Sequence, residues 1–440
     1  MEHADVRTKP RPLAGVRIIE LGSLIAGPFA AHLLADFGAE VIKVEPPGKG
    51  DELRTWRYVP PGVHSSLWWY YQARNKKGVT LDLRQPEGQA LLRRLARLSD
   101  AVIENFRPGT LARWGLAYED LRRENPRLIM VSVSGYGQTG PYKAKPGFAS
   151  VAEGVAGIRH LTGFPDRPPV RVGVSLGDHI AGMYAALGLL LALYHRDARG
   201  APAGQPLHDR TVEGRDAPAG QPLHDRTVEG RDAPAGQHVD VALYESIFTF
   251  TESLLPEYDV AGRIWERVGT ALLSTVPSNT YPTADDRWVI IGANNDNLFH
   301  RLTAAMGCPE VADDPRYADN QARIRERERV DGMIAEWTRR HTLEEVVRIL
   351  EEAQVPVGPI YTAAEIVKDP QYQARDMLLA QHVPGLGPVK FPGIVPKLSE
   401  TPGGVDASGP ALGEHNRYVY GELLGLSEEE LADLARKGVI

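Results

Sequence analysis

The first third of this chain alternates short runs rich in valine and isoleucine with segments of helical periodicity. Such short apolar runs are typical of buried β-strands. A helix between consecutive strands favours a parallel sheet, since a parallel connection needs a long crossover. We predict strands at residues 16–21, 40–45, 101–106 and 128–134, and helices at 30–37 and 86–99. The chain is therefore expected to be an α/β protein whose ligands bind at the carboxyl ends of the strands.

The domain organisation follows from the length and from a change in sequence pattern. A chain of 440 residues is too long for one compact core, so two domains are expected. A strand at 288–293 and helical patterns at 296–306 and 321–340 indicate a smaller α+β domain. A last helix at 427–437 is expected to dock on the large domain. We predict a large domain in 1–200, a linker in 238–259, the small domain in 260–342, and a return linker with the rest of the large domain in 343–440.

A sixteen-residue unit is duplicated in the middle of the chain. Residues 201–216 recur without change as 217–232, and a third copy begins at 233–237. The unit is too short and too rich in Gly and Pro to build a solenoid or a core. We therefore predict a tandem-duplicated flexible surface loop over 201–237. Duplication alone explains the recurrence of its histidines, so no metal site is predicted.

Composition argues against several classes of protein. A net charge of −7 provides no basic surface for nucleic acid or an anionic membrane. The single cysteine, Cys308, rules out an intramolecular disulfide framework and suits a reducing cytoplasm. Residues 1–11 lack the apolar core of a signal peptide, and the longest uncharged run, 180–194, is too short to span a bilayer. We expect a cytoplasmic protein without a nucleic-acid or membrane partner.

Asp178 and His179 directly precede that uncharged run, which we interpret as a buried helix. On local grounds alone the aspartate could simply cap the helix. A helix that begins after Asp178 also places its carboxylate near the positive end of a dipole, which favours the ionised form. Gly177 beside it carries no side chain that would obstruct an approaching ligand.

Motifs elsewhere in the chain change the balance between these interpretations. With these motifs and Asp178, the chain resembles the class III CoA-transferase family, which includes formyl-CoA transferase. The resemblance extends from about residue 12 to the C-terminus, apart from the duplicated segment. The motifs lie at residues 12–21, 26–28, 38–45, 75–77, 104–109 and 135–141.

The resemblance implies an enzyme that moves coenzyme A between two carboxylic acids, with Asp178 as the catalytic nucleophile. A carboxylate nucleophile divides the exchange into steps through an aspartyl anhydride and an aspartyl-CoA thioester. Coenzyme A would be a substrate, and no permanently bound cofactor is expected. The resemblance also implies a Rossmann-like large domain joined to the small domain by long linkers in an open ring. Two such rings would interlock as a homodimer.

Family positions that contact CoA correspond to three short segments and one further arginine. The basic residues among them suit the CoA phosphates. A solvated surface charge is the alternative interpretation of each. The predicted CoA-binding residues are Ile25, Ala26, Arg74, Asn75, Lys76, Asn105, Phe106, Arg107 and Arg113.

The acceptor acid is less determined. Residues 269–274 lack the glycine run that forms a lid in formyl-CoA transferase. With 292–295 they look more like the family branch that acts on succinyl-CoA and short dicarboxylates. A distal carboxylate needs a cationic partner, and Arg54 and Arg171 are the candidates. Structural ion pairs are the alternative for both.

Three other functions were weighed. An α-methylacyl-CoA racemase of the same fold needs a second acid–base group, and Phe148 and Ala149 stand where that family has His and Asp. A NAD-dependent oxidoreductase needs a G-x-G-x-x-G turn, which residues 21–27 do not contain. A non-catalytic CoA-binding protein stays open, and it would bind CoA without exchanging it.

Overall fold

The computed structural model describes residues 9–199 and 235–440. The predicted duplicated loop, 201–237, therefore lies outside the described residues except for its last three positions. The strands are β1 Arg17–Glu20, β2 Glu40–Glu45, β3 Lys76–Thr80, β4 Ala101–Glu104, β5 Ile129–Ser134, β6 His238–Ala242, β7 Ser278–Pro282, β8 Trp288–Gly292, β9 Val357–Pro359, β10 Leu378–Val383 and β11 Gly387–Pro392.

The helices vary widely in length, and a 3₁₀ turn at Glu52–Thr55 and a π-helix at Arg417–Leu423 accompany them. The α-helices are α1 Ala26–Asp36, α2 Leu67–Gln72, α3 Pro86–Arg97, α4 Thr110–Arg113, α5 Tyr118–Glu124, α6 Ala149–Val155, α7 Ile158–Leu161, α8 Leu176–Arg199, α9 Leu243–Phe248, α10 Leu254–Ala261, α11 Asp296–Ala305, α12 Glu310–Asp313, α13 Asn320–Arg325, α14 Arg327–Thr338, α15 Leu343–Glu352, α16 Ala363–Ile366, α17 Pro370–Ala374 and α18 Glu428–Arg436.

Six strands form one parallel sheet in the order β3-β2-β1-β4-β5-β6. The predicted α/β class and the four predicted strands are confirmed. Strand β3 was missed because it opens on Lys76 and Lys77, which do not look like strand residues. The strand order reverses between β1 and β4. Such a reversal opens a crevice at the carboxyl ends of the strands, where ligands of doubly wound sheets bind.

A hydrophobic core covers one face of this sheet. Leu91, Leu92 and Leu95 of α3 recur at helical spacing and pack on sheet residues such as Val79. Leu431 of α18 belongs to the same core, in agreement with the predicted docking of the C-terminal helix. Burial of these side chains, at about 2 kcal/mol each, anchors the helices on the sheet.

The long helix α8 corrects the prediction of a buried helix, because only one side of it is covered. Ala181, Ala185 and Leu189 are buried, whereas Met183 and Leu191 are more than half exposed. By length and composition Leu176–Ala198 could cross a membrane, since the helix extends the uncharged run at both ends. Half of that apolar window is buried inside the protein, and a single helix of this kind is weak evidence for a span.

The chain divides into two compact units. The first comprises Met1–Ala156, Val172–Glu252 and Asp376–Ile440, and the second comprises Gly157–Arg171 and Ser253–Arg375. The first unit contains the parallel sheet and the antiparallel pair β10–β11.

The second unit has its own core, built on the antiparallel sheet β7-β8-β9. Phe299, Ile334 and Leu350 from three helices pack on this sheet. The predicted small domain, 260–342, lies inside this unit, which extends beyond it on both sides. The single helix predicted at 321–340 is instead two helices, α13 and α14, which Glu326 separates.

Candidate active site

Asp178 lies in the first turn of α8 and is partly exposed. The helix begins at Leu176, three residues earlier than predicted, so Asp178 is inside the helix rather than ahead of it. Its carboxylate still lies in the turn where the helix dipole stabilises negative charge. The location suits a carboxylate that has to remain ionised.

The first turns of α8 pack against the first turn of α1. A Cβ at Gly182 would lie 2.8 Å from the carbonyl oxygen of Ala26, so only glycine permits this approach. The His179 ring meets the edge of Phe29 with centroids 4.5 Å apart. Asp178 precedes Gly182 by one helical turn, and residues at that spacing share a face. Asp178 therefore lies one turn before the residue at which α8 contacts the N-terminal end of α1.

His179 is held in a fixed orientation beside Asp178. Its Nδ1 lies 2.6 Å from the carbonyl oxygen of Ser175, which can only accept a hydrogen bond. Burial lowers the pKa of His179, and the charge of Arg57 lowers it further. The imidazole is therefore neutral at neutral pH and donates through Nδ1.

Gly177 has a different role from the predicted one. A Cβ at this position would lie 2.8 Å from Ile247 and 3.2 Å from Ala149. It would point into the packing between helices rather than into open space. The glycine lets α8 approach α9 and α6, and it does not clear a path for a ligand.

The predicted CoA-binding residues Ile25 and Ala26 form the end of the turn between β1 and α1. Both are buried. The amide of Asn105, directly after β4, bonds to this turn with both of its polar atoms. Its Oδ1 accepts from Ser23 N at 2.8 Å and its Nδ2 donates to Ser23 O at 2.8 Å. The Asn105 side chain therefore holds the turn, and a contact of CoA with the main chain near Asn105 stays a prediction.

Arg74 and Asn75 are structural residues in this fold. The Arg74 guanidinium is buried and makes two hydrogen bonds to Asp36, at 3.0 and 2.6 Å. The Asn75 amide donates to Asp36 and to Gly404, and its oxygen accepts from the backbone N–H of Asp406. Their polar groups are already satisfied, which removes both from the candidates for direct CoA contact.

Lys76 is likewise occupied. Its ammonium is buried, lies 2.7 Å from a Glu20 oxygen and donates to the carbonyl of Pro28 at 2.8 Å. Burial lowers the pKa of Lys76, although the Glu20 charge opposes that effect. A phosphate contact would require this buried pair to separate, at a cost of several kcal/mol. The prediction of phosphate binding by Lys76 is therefore corrected.

Arg54, one of the two acceptor candidates, belongs to the structural framework as well. It makes a bidentate pair with the buried Glu45, with both distances 2.7 Å, and donates to Ser65. Its guanidinium carbon lies 3.8 Å above the ring of Trp69. The structural alternative that the sequence left open for Arg54 is the correct one.

Phe106, Arg107 and Arg113 follow β4 at the carboxyl edge of the sheet. The Phe106 ring packs edge-on against Trp114, with centroids 5.7 Å apart. Arg107 and Arg113 are exposed, and Arg113 bonds within its own helix to Thr110 at 3.2 Å. These two arginines are the predicted phosphate ligands whose charges face solvent.

Glu104, the last residue of β4, was missed by the sequence interpretation. It is buried, and its Oε2 accepts from the backbone N–H of Phe106 at 2.7 Å. Burial raises the pKa of Glu104 to about 7, the neighbouring Asp240 charge raises it too, and hydrogen bonds from Ser132 and Phe106 oppose the rise. The available signal was its place at the end of a buried strand, directly before Asn105.

The remaining candidates lie elsewhere in the fold. Arg171 is exposed in the second unit. Phe148 is exposed and Ala149 is buried. Neither side chain can take up or release a proton, so neither offers an acid or base for racemisation. Burial raises the pKa of the Cys308 thiol, which argues against a reactive thiolate. Within 9–199 and 235–440, no three His, Cys, Asp or Glu side chains converge on a possible metal site.

Comparison with known proteins identifies relatives over nearly the whole chain. A family model described as CoA-transferase family III matches residues 13–207 and 223–416, with the gap inside the duplicated segment. Succinyl-CoA–D-citramalate CoA-transferase of Chloroflexus aurantiacus is 50% identical and is aligned over 98% of both chains. Succinate–glutarate CoA-transferase of Agrobacterium fabrum is 35% identical over 95% of this chain and 97% of its own.

A solved structure has the same fold. The CAIB/BAIF family protein from Brucella suis matches with a TM-score of 0.77 and 32% identity. The match covers 94% of this chain and all of that chain.

Proposed function

This chain belongs to CoA-transferase family III, and from that premise we propose that it transfers coenzyme A from succinyl-CoA to a short dicarboxylate through Asp178. Transfer of CoA from an acyl-CoA to a carboxylic acid is the activity of the family. The choice of succinyl-CoA is supported by the relatives, which are named for succinyl-CoA with citramalate, malate or glutarate. The observation that carries the catalytic role is a partly exposed carboxylate in the first turn of α8, one helical turn before the residue that packs on the start of α1.

The first half of the proposed reaction loads the enzyme. An Asp178 oxygen attacks the thioester carbon of the donor, the C–S bond breaks, and CoA leaves as a thiolate. The thiolate then attacks the side-chain carbonyl of Asp178 in the mixed anhydride. The bond from this carbon to the bridging oxygen breaks and releases the donor acid as a carboxylate. An aspartyl-CoA thioester remains.

The second half runs these steps with the acceptor. The acceptor carboxylate attacks the aspartyl thioester carbon, and the CoA thiolate leaves again. The thiolate attacks the acyl carbon of the acceptor, and cleavage of the anhydride restores the Asp178 carboxylate. No proton or electron is gained or lost overall, so neither a general acid nor a redox cofactor is required.

We propose Arg107 and Arg113 as the residues that meet the phosphates of CoA, because their exposed guanidinium groups lie just after β4. The backbone at Ile25 and Ala26 would contact the pantetheine arm. Arg171 is the remaining candidate for the distal carboxylate of the acceptor, since Arg54 is committed to Glu45.

We also propose a homodimer in the cytoplasm. Large apolar side chains at Met183, Leu187, Leu191 and Tyr194 follow one face of α8, and each is half or more exposed. An apolar stripe of this kind is typical of a surface that another protein covers. A monomer in light scattering under native conditions would refute the dimer. The cytoplasm is supported by the single cysteine.

A matrix of acyl-CoA donors and carboxylate acceptors, read by mass spectrometry, tests the reaction. We expect exchange between succinyl-CoA and a short dicarboxylate, and a loss of at least about a thousandfold in Asp178→Asn. Asp319→Asn is the matched control, because it makes the same change at the cap of α13. Its activity should equal that of the wild type.

Trapping with hydroxylamine tests the covalent step. In the presence of succinyl-CoA, hydroxylamine should convert the aspartyl thioester to a hydroxamate on Asp178. Label on another residue, or exchange that survives in Asp178→Asn, would refute the covalent route. Binding of CoA without any exchange would favour a non-catalytic protein. Deuterium uptake at the α-carbon of a 2-methylacyl-CoA would favour a racemase.

A further inference from the structure

We infer that Asp51, Gln72 and Asn105 are positioning residues for CoA transfer, because they hold the turn between β1 and α1 in one conformation. This turn, residues 22–25, is called the switch-point turn below. The inference rests on the proposed role of Asp178, and it assigns to these three residues a contact with the protein backbone rather than with a substrate.

Side chains from other elements satisfy the carbonyl groups along the switch-point turn. The Gly22 carbonyl accepts from Lys43, and the Ser23 carbonyl accepts from Asn105. Gln72 donates to both remaining carbonyls, Leu24 at 3.4 Å and Ile25 at 3.0 Å. The turn is thus attached to β2, to α2 and to the loop after β4.

The N–H groups of the turn are held in the same way. Ser23 N donates to the Asn105 oxygen, and Leu24 N donates to both oxygens of Asp51, at 3.1 and 3.2 Å. Burial would raise the pKa of Asp51, but the Lys43 ammonium 2.7 Å away and its backbone hydrogen bonds keep that pKa below its ordinary value. Asp51 is therefore ionised, and it accepts from Leu24 as a charged group, which strengthens the bond.

The conformation held in this way is a strained one. Leu24 has φ +63°, a left-handed conformation that costs a residue with a side chain about 1 kcal/mol or more. Such a residue persists only where its surroundings fix it, and strained residues of this kind cluster at functional sites. Without its side-chain partners the turn would relax toward an ordinary conformation.

The position of the turn connects it to catalysis. It lies at the carboxyl end of β1, and Asn105 lies at the carboxyl end of β4, so their bond spans the point where the strand order reverses. That crevice is where doubly wound sheets bind ligands. The turn leads directly into Ala26. The carbonyl of Ala26 packs on Gly182 of α8, which lies one helical turn after Asp178. A shift of the turn would therefore move backbone beside the nucleophile.

Asn125 provides a matched control for Asn105. Its Nδ2 donates to the carbonyls of Ala96 and Ser99, and its Oδ1 accepts from Arg127 N at 3.0 Å. The chemistry is the same, but Asn125 precedes β5 and so lies at the opposite, amino edge of the sheet. A general contribution to stability predicts the same outcome for both asparagines.

The test compares Asn105→Ala with Asn125→Ala in the full-length enzyme. Both should lose similar thermal stability. Only Asn105→Ala should lose kcat, by about ten- to a hundredfold, and its KM for succinyl-CoA should rise as well, because the loosened backbone at Ile25 and Ala26 is the proposed contact of the pantetheine arm. Gln72→Met, which keeps the side-chain volume but removes the donor, should lower kcat in the same direction. A raised KM with an unchanged kcat would mean that Asn105 serves CoA binding alone, and an equal loss of kcat in both alanine variants would leave only a structural role. Either result overturns the inference.

Amide hydrogen exchange reports on the turn without any activity measurement. A peptide covering residues 21–27 should exchange faster in Asn105→Ala, because Ser23 loses its acceptor, and should be unchanged in Asn125→Ala. Unchanged exchange in both variants would also overturn the inference. A wild-type enzyme without CoA exchange would instead overturn the proposed function, whereas normal wild-type exchange with a normal kcat in Asn105→Ala refutes the positioning role alone.

Discussion

Glu104→Gln should change how the stability of this protein depends on pH. Glu104 is 5% exposed at the end of β4, and burial raises its pKa to about 7. The ordinary value in an unfolded chain is 4.5. Between these two values the folded protein retains a proton that the unfolded chain releases. Stability therefore falls as the pH rises through this interval.

The magnitude follows from the two pKa values. Each unit of separation between the two pKa values changes the free energy of unfolding by about 1.4 kcal/mol. The raised pKa of Glu104 therefore lowers the free energy of unfolding by about 3 kcal/mol, and this loss is reached above pH ~7. The loss is already about 1 kcal/mol at pH ~5, so about 2–3 kcal/mol develops between pH ~5 and ~8.5. Glutamine has no such proton to lose. It can accept from Phe106 N through its oxygen and donate to Ser132 through its amide, so the variant keeps the local packing.

The measurement is the free energy of unfolding in urea at the two pH values, at one protein concentration. Wild type should lose about 2–3 kcal/mol more than Glu104→Gln between the lower and the higher pH. Glu119→Gln, the same change at an exposed position of α5, should behave as the wild type does. Equal pH dependence in wild type and Glu104→Gln would refute the claim that Glu104 is protonated in the folded protein at acidic pH.

Three further outcomes follow from the placement of charged residues and from the duplication. Arg74→Met should destabilise the protein by about 3–5 kcal/mol in urea unfolding, because it removes the charged partner of the buried Asp36 carboxylate. Arg107→Ala and Arg113→Ala should leave the free energy of unfolding within about 0.5 kcal/mol of wild type. Both should raise the KM for succinyl-CoA, and added salt should reduce the difference in KM between variant and wild type. A wild-type KM in both variants would remove them from the CoA site. Deletion of residues 217–232, one copy of the duplicated unit, should leave kcat and KM unchanged, and a loss of exchange would show that the second copy is needed.

The sequence predicted the secondary structure best where a strand is buried on both faces. β1, β2, β4 and β5 each contain adjacent valine, isoleucine or methionine residues, and this local enrichment is visible in the sequence itself. β3 was missed because a lysine such as Lys76 normally indicates a surface position. Its burial depends on the ion pair with Glu20, which only the fold brings next to it. The sequence of α8 is compatible with two structures. An uncharged helix has the same pattern whether it is buried on all sides or leaves one apolar face exposed.

The site was predicted less completely than the fold. Asp178 could be singled out by its motif context, and its catalytic role stays a prediction. Of the basic residues predicted for the site, however, Arg107, Arg113 and Arg171 keep exposed charges, while Arg54, Arg74 and Lys76 are held by buried carboxylates. Nothing near Arg74 in the sequence distinguishes it from Arg107, because Asp36 is 38 positions away.

The sequence by itself determined the α/β class, the two-part organisation and the aspartate to examine, because apolar periodicity and short motifs are local properties of the chain. Only the tertiary structure decided which charges are free to meet a ligand and which are used internally. It also revealed that Asp51, Gln72 and Asn105 converge on one strained turn. The physical reason is that an ion pair or a side-chain bond to the backbone depends on distance in space. The parallel sheet brings together residues such as Ser23 and Asn105, which lie 82 positions apart along the chain.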